Sequence, residues 1–272
     1  MKVSKFVFIC VVALICSCQA FANYHVKYDF NNQWTGDYAP GWENTDFAGG
    51  EDPTGVMMQF AYAGLQGSGA VRIIATDTPD DSYWWADVNP TNVDEAAMAK
   101  QYNPWVSAWY WDEGYNSESG NTEGLHRGGQ IFAVPDTQAG SGDWSDTQLG
   151  AGINSGDQYY YAYADNGGTT VAGTDTVRSE GWHQLKLQLS SDDGKIHYYI
   201  DGQEVGATVR DDYDNLLGFG LSTVFTNPLS EWSYNYPWSV WDDFEYGSSI
   251  PEPTTIALLG FGSAIFIRRR RA

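Results

Sequence analysis

Between residues 181 and 209 apolar and polar positions alternate along the chain. In 182–190 the apolar residues Leu185, Leu187 and Leu189 fall on one side, with Gln184, Lys186 and Gln188 between them. A period of two marks a strand with one buried face. Asp193-Gly194 follows, a dipeptide suited to a tight turn. Lys195–Ile200 alternates again, with Ile196, Tyr198 and Ile200 on one side. Asp201-Gly202 then turns the chain into Gln203–Val209. The pattern predicts three consecutive antiparallel strands.

The same rule predicts strands over 24–30, 56–63, 70–76, 104–111, 129–134, 158–164, 217–225 and 238–246. Asn92–Gln101, with Asp94, Glu95, Ala96, Ala97, Met98 and Ala99, is the best helical segment and predicts a helix of roughly two to three turns. No repeat of propeller or solenoid period is present. Many short strands separated by Gly, Asn, Asp and Pro predict an all-β fold, a two-sheet antiparallel jelly-roll sandwich. One domain is expected over 23–246, with a short linker at 247–250.

The two ends follow other rules. Lys2 and Lys5 precede the apolar run Phe6–Ile15, which is too short to span a bilayer. Ala20-Phe21-Ala22 then supplies a small-x-small site, so 1–22 reads as a secretory signal cleaved after Ala22. A lipoprotein signal ending at Cys18 is a poorer fit, because Cys16 interrupts the residues before it. At the other end, Pro251-Glu252-Pro253 leads into the apolar run 254–267 and then Arg268, Arg269, Arg270 and Arg271. As a helix the run would reach ~21 Å, short of the ~30 Å hydrocarbon core. The arginines would stay on the cytoplasmic side. The plainer reading is a short membrane anchor. This order of features resembles the PEP-CTERM sorting signal. The resemblance implies export, processing by an exosortase, transient inner-membrane contact through a short transmembrane helix, and a final place in the envelope or extracellular matrix. It is typical of bacteria that make exopolysaccharide. The tail is an address and implies no ligand for the body.

Composition then narrows the chemistry. All three Cys lie before residue 23, so the body has no disulfide and no thiolate metal site. Residues 23–250 hold 8 basic and 34 acidic side chains, a net charge of −26 that argues against nucleic-acid binding. The metalloprotease, nucleophile-elbow, phosphate-loop and dinucleotide signatures are missing. His25, His126, His183 and His197 show no ligand spacing. His183 shares a strand face with Leu185 and reads as a hydrogen-bonded core histidine.

A second resemblance lies in the body. Gly181-Trp182-His183-Gln184-Leu185-Lys186-Leu187, followed by Tyr198-Tyr199-Ile200-Asp201-Gly202, is similar to the meander of laminin-G and concanavalin A-like sandwiches. Tyr28-Asp29-Phe30 and Val240-Trp241-Asp242-Asp243-Phe244 resemble the paired first and last strands of such jelly rolls. The likeness implies a lectin or glucanase type of fold and allows a structural Ca²⁺, for which Asp29, Asp242, Asp243, Asp211, Asp212 and Asp214 are available. In so acidic a chain no ligand set stands out. The endoglucanases of this fold carry Glu-x-Asp-x-Glu on one strand. This chain has no such triplet, and Asp112-Glu113 would face opposite sides of a strand. No catalytic residue is assigned.

All twelve Trp lie in the body. In 105–111 the residues Trp105, Ser107, Trp109 and Trp111 share one strand face, with Val106, Ala108 and Tyr110 opposite. Three indoles on one face would make a platform for sugar rings. Tyr159, Tyr161 and Tyr163 repeat the pattern, opposite Tyr160, Ala162 and Ala164. Trp84 and Trp85, and Trp232 with Trp238, fall in turn-rich segments, where binding loops concentrate. The plainer reading is that these rings build the core. The expectation is an exported glycan-binding protein without catalysis. A glycoside hydrolase or polysaccharide lyase on the same fold, or a matrix protein without a ligand, are the alternatives.

Overall fold

The computed structural model describes residues 25–32, 37–44, 55–60, 64–75, 83–91, 103–114, 128–135, 147–151, 158–164, 174–190, 192–209, 216–226 and 238–248. Its strands, in chain order, are β1 (His25–Tyr28), β2 (Trp42–Asn44), β3 (Gly55–Phe60), β4 (Ala70–Ala75), β5 (Tyr83–Pro90), β6 (Pro104–Glu113) and β7 (Gly128–Pro135). Then follow β8 (Thr147–Ala151), β9 (Tyr161–Ala164), β10 (Glu180–Ser190), β11 (Lys195–Ile200), β12 (Gln203–Val209), β13 (Leu216–Thr226) and β14 (Trp238–Ser248).

They form two antiparallel sheets. One has eight strands, ordered β12-β11-β10-β6-β14-β4-β3, with β1 also on β14. The other has six, ordered β2-β5-β13-β7-β8-β9. The predicted sandwich is therefore observed, and the first and last strands pair as the resemblance implied, with Tyr28 opposite Phe244.

Alternation builds the core between the sheets. On β6 the inward residues Val106, Ala108 and Tyr110 are buried, as are Leu185 and Leu187 of the neighbouring β10. Rings from both sheets then meet. Phe219 of β13 lies 4.3 Å from Tyr246 of β14, and Trp42 of β2 lies edge-on to Phe244 at 4.9 Å. Each such fully buried ring contributes roughly 2–3 kcal/mol relative to exposure. The indole N–H of Trp241 donates to Ser239 Oγ at 2.7 Å, and Ser239 donates to the Ser222 carbonyl of the opposite sheet.

The 181–209 meander is present as β10, β11 and β12. Asp201 (φ 50°) and Gly202 (φ 76°) both adopt the left-handed conformation that a two-residue hairpin turn needs. Three strands were not foreseen: β2, β5 and β8. Trp84 and Trp85 thus lie in strand β5, not in a loop; Ala86 and Val88 alternate with Asp87 and Asn89, but the adjacent Trp pair and the closing Pro90 blur the signal. Trp238 likewise opens β14. The predicted 92–101 helix, Trp232, both terminal signals and Asp211, Asp212 and Asp214 lie outside the described residues. Among the described residues no helix is long and apolar enough to cross a membrane.

Candidate functional site: an aromatic face on the eight-stranded sheet

Strand β6 sits at the middle of the eight-stranded sheet, between β10 and β14. Its burial alternates as the sequence predicted. Trp105, Trp109 and Trp111 are half-buried, whereas Val106, Ala108, Tyr110 and Asp112 are buried. The three indoles point away from the core, so they are not core residues. Ser107 stands between Trp105 and Trp109 and is covered by its neighbours.

Register carries this face across the sheet. Trp182 lies opposite Trp111, Gln184 opposite Trp109, Lys186 opposite Ser107 and Gln188 opposite Trp105. Tyr199 and His197 continue the rows on β11. On the other flank Glu245 lies opposite Ser107, and Lys27 of β1 opposite Glu245. Trp111 and Trp182 meet edge to face at 5.6 Å. The Lys186 ammonium lies 5.2 Å from the ring centre of Trp105 and 5.4 Å from that of Tyr199. Arg72 lies 4.3 Å over Trp238 on the far side of the sheet. Aromatic faces are negative and attract such cations.

Ion pairs rim the face. Lys27 bridges Asp243 and Glu245 at 2.7 and 3.1 Å, and its partners outweigh the opposing effect of burial, raising its pKa. His197 contacts Glu204 at 3.0 Å and Asp193 at 3.2 Å. Burial alone would lower its pKa, but hydrogen bonds to these two carboxylates win and raise it. A pocket of ≈ 390 Å³ opens beside β1, lined in part by Lys27, Asp29, Phe30 and Pro40.

The buried polar groups lie elsewhere. Asp112 is fully buried, and Arg178 meets it through Nη2 at 2.7 Å and Nε at 3.1 Å. Burial, then the Asp112 charge, pushes the phenols of Tyr110 and Tyr160 far above their usual range. His183 shares the inward face with Leu185 but is only partly covered and is not a core residue, with Nδ1 2.7 Å from the exposed Asp201 and Nε2 2.9 Å from the Ser179 carbonyl. This cluster ties β6 to the segment before β10 on the inward side.

Of the carboxylates available for calcium, Asp29, Asp242 and Asp243 are described, and each is engaged within the protein. Asp242 accepts from the Leu65 amide at 2.8 Å, Ser68 Oγ at 2.5 Å and the Asp243 amide at 2.7 Å. Burial still raises its pKa against those bonds. Asp29 accepts from the Asn31 amide. Among the described residues no group of three metal-ligating side chains forms.

The tyrosine row of 159–163 does not repeat the platform. Tyr159 is exposed, but Tyr161 is buried and donates to Gln130. It belongs to the six-stranded sheet, where β7, β8 and β13 carry buried residues at consecutive positions. Trp84 and Trp85 also belong to that sheet, so the structure does not bring them to the trio. Trp182, Lys186 and Tyr199 were missed. The alternation of 182–190 marks the outward positions, but which strand they lie beside is a long-range fact.

The C-terminus matches the PEP-CTERM protein-sorting motif over residues 249–271. No curated protein matches the chain in sequence. Similar solved structures include a carbohydrate esterase of Shiga toxin-encoding bacteriophage phi24B, at 12% identity and TM-score 0.51, covering 83% of this chain and 98% of that one. A Bacillus licheniformis beta-glucanase is similar at 10% identity and TM-score 0.49, over 84% and 99% of the two chains. A Pseudomonas aeruginosa alginate lyase gives 12% identity and TM-score 0.47, over 71% and 86%. A sialidase matches over 83% of this chain but only 18% of its own length. At these identities the likeness is one of fold. The fold is a two-sheet antiparallel jelly-roll sandwich, and the motif at the C-terminus implies export and sorting at the membrane.

Proposed function

We propose that the protein is an envelope or extracellular-matrix glycan-binding protein, and that the outward face of the eight-stranded sheet is its binding surface. One observation carries this reading. The central strand turns Trp105, Trp109 and Trp111 away from a core that is already filled by Val106, Ala108 and Tyr110. Half-exposed indoles in a row present flat, polarisable faces to the C–H faces of sugar rings. Gln184 and Gln188 alongside supply amides for hydroxyl groups. Before release, an exosortase-type protease would process the tail.

A polysaccharide panel tests the surface. Each single change W105A, W109A and W111A is expected to weaken binding about tenfold, which corresponds to ~1.4 kcal/mol. Melting should shift little, because the rings lie outside the core. If the melts collapse by the ~3–5 kcal/mol of a core truncation, the platform reading falls. A hydrolase or lyase on the same fold would instead release reducing ends or unsaturated products from the bound polymer.

A further inference from the structure

Positive charge is scarce in this protein and unevenly placed. Residues 23–250 hold 8 Lys and Arg, and five of these fall among the described residues: Lys27, Arg72, Arg178, Lys186 and Lys195. Arg178 is buried against Asp112. The other four project from the outward face of the eight-stranded sheet. Lys27 alternates with the core-packed Val26 and Tyr28, Arg72 with the buried Val71 and Ile73, Lys186 with Leu185 and Leu187, and Lys195 precedes the buried Ile196. Four of the five described cations thus lie on the face that carries the indole row.

Lys186 differs from the rest. It stands at the centre of the sheet, half-buried, between the rings of Trp105 and Tyr199. Among the described residues no carboxylate lies within ion-pair distance of it. Burial lowers its pKa, with no opposite charge to offset the effect. A partly desolvated ammonium without a counter-charge is costly. A chain this rich in Asp and Glu has nevertheless placed neutral Gln184 and Gln188 at the flanking outward positions of β10. A carboxylate ligand would supply the missing partner, and charge-assisted hydrogen bonds are roughly twice as strong as neutral ones.

Resting on the platform reading, we propose that the surface takes an acidic glycan built of uronic-acid residues, and that Lys186 binds the sugar carboxylate. A uronate carries its carboxylate at the ring edge. The Lys186 ammonium lies over the Trp105 ring and opposite Ser107, one outward position from Trp109, so a sugar stacked on Trp109 would direct that group along the row toward it. The overall negative charge does not forbid this. At physiological salt its field is screened over about 8 Å, whereas a contact pair is not.

The test compares polygalacturonate with its carboxyl-reduced form, which keeps the backbone and loses the charge. The full exported chain should bind the acidic polymer at least tenfold more tightly. K186Q should remove that preference, bringing the two polymers to equal affinity, without lowering the melting temperature. Equal binding of both polymers by the unaltered protein, or a K186Q variant that keeps the preference, would overturn the uronate assignment while the platform stands. Dextran sulfate bound as tightly as polygalacturonate would also overturn it, in favour of anion binding without regard to the sugar. If no polymer binds, acidic or neutral, the platform reading itself fails.

Discussion

Asp112 and Trp111 are neighbours on one strand with opposite fates. Asp112 turns inward and is fully buried against Arg178, while Trp111 turns out to meet Trp182. A buried ion pair adds little net stability, but removing one partner leaves an uncompensated charge in the core. D112N or R178M should therefore cost about 3–5 kcal/mol in urea unfolding. A loss below ~1 kcal/mol would show that water reaches the pair. The outward direction of Trp105, Trp109 and Trp111 was legible from Val106, Ala108 and Tyr110 between them. The Asp112–Arg178 pair was not, because its partners are 66 positions apart and neither residue signals burial.

At the scale of the element, the meander was readable because turn chemistry and alternation agree over 182–209. β5 and β8 were not. β5 carries polar Asp87 and Asn89 and closes on Pro90, and β8 is a short Thr-Gln-Leu-Gly-Ala run whose residues are all buried. A strand covered on both faces, as β8 is, loses the period-two signal. Sheet contacts also fix the glycine of β7. A Cβ on Gly129 would come within 2.7 Å of Trp241 and 2.8 Å of Tyr110, two rings of the opposite sheet. G129A should cost roughly 1–3 kcal/mol by forcing these rings apart, and chemical denaturation would read it. The hairpin of β11 and β12 has a pH dependence of known sign. His197 has a raised pKa, so its charged form stabilises the fold below the ordinary histidine range, and that gain is lost as pH rises through the raised value. The melting temperature should fall slightly as pH climbs from about 6.5, and less so in H197Q. A slope identical in the two proteins would remove His197 from the account. The effect is small because the site is largely solvent-screened.

For the whole molecule, fold class and export address were both written locally, in short alternating runs and in an ordered tail. The proposed binding face was only half legible. Its indole row lies on one strand, but its charge comes from strands β10, β11, β1 and β4, brought together only by pairing. The tail carries its own expectation. Protein recovered outside the inner membrane should lack residues 251–272, and intact-mass measurement checks this. A mass retaining the four terminal arginines would mean that the segment stays as an anchor.

Strand β14 ends at Ser248, just before that tail, and it runs through the interior of the eight-stranded sheet with β6 on one side and β4 and β1 on the other. A pull on the C-terminus while the signal is still held at the membrane would thus enter the molecule along an interior strand. Antiparallel hydrogen bonds lie perpendicular to the strand, so such a load would shear many of them at once instead of opening them one by one. While the signal is held, the load therefore enters along a strand paired on both sides, and the sandwich meets it in shear.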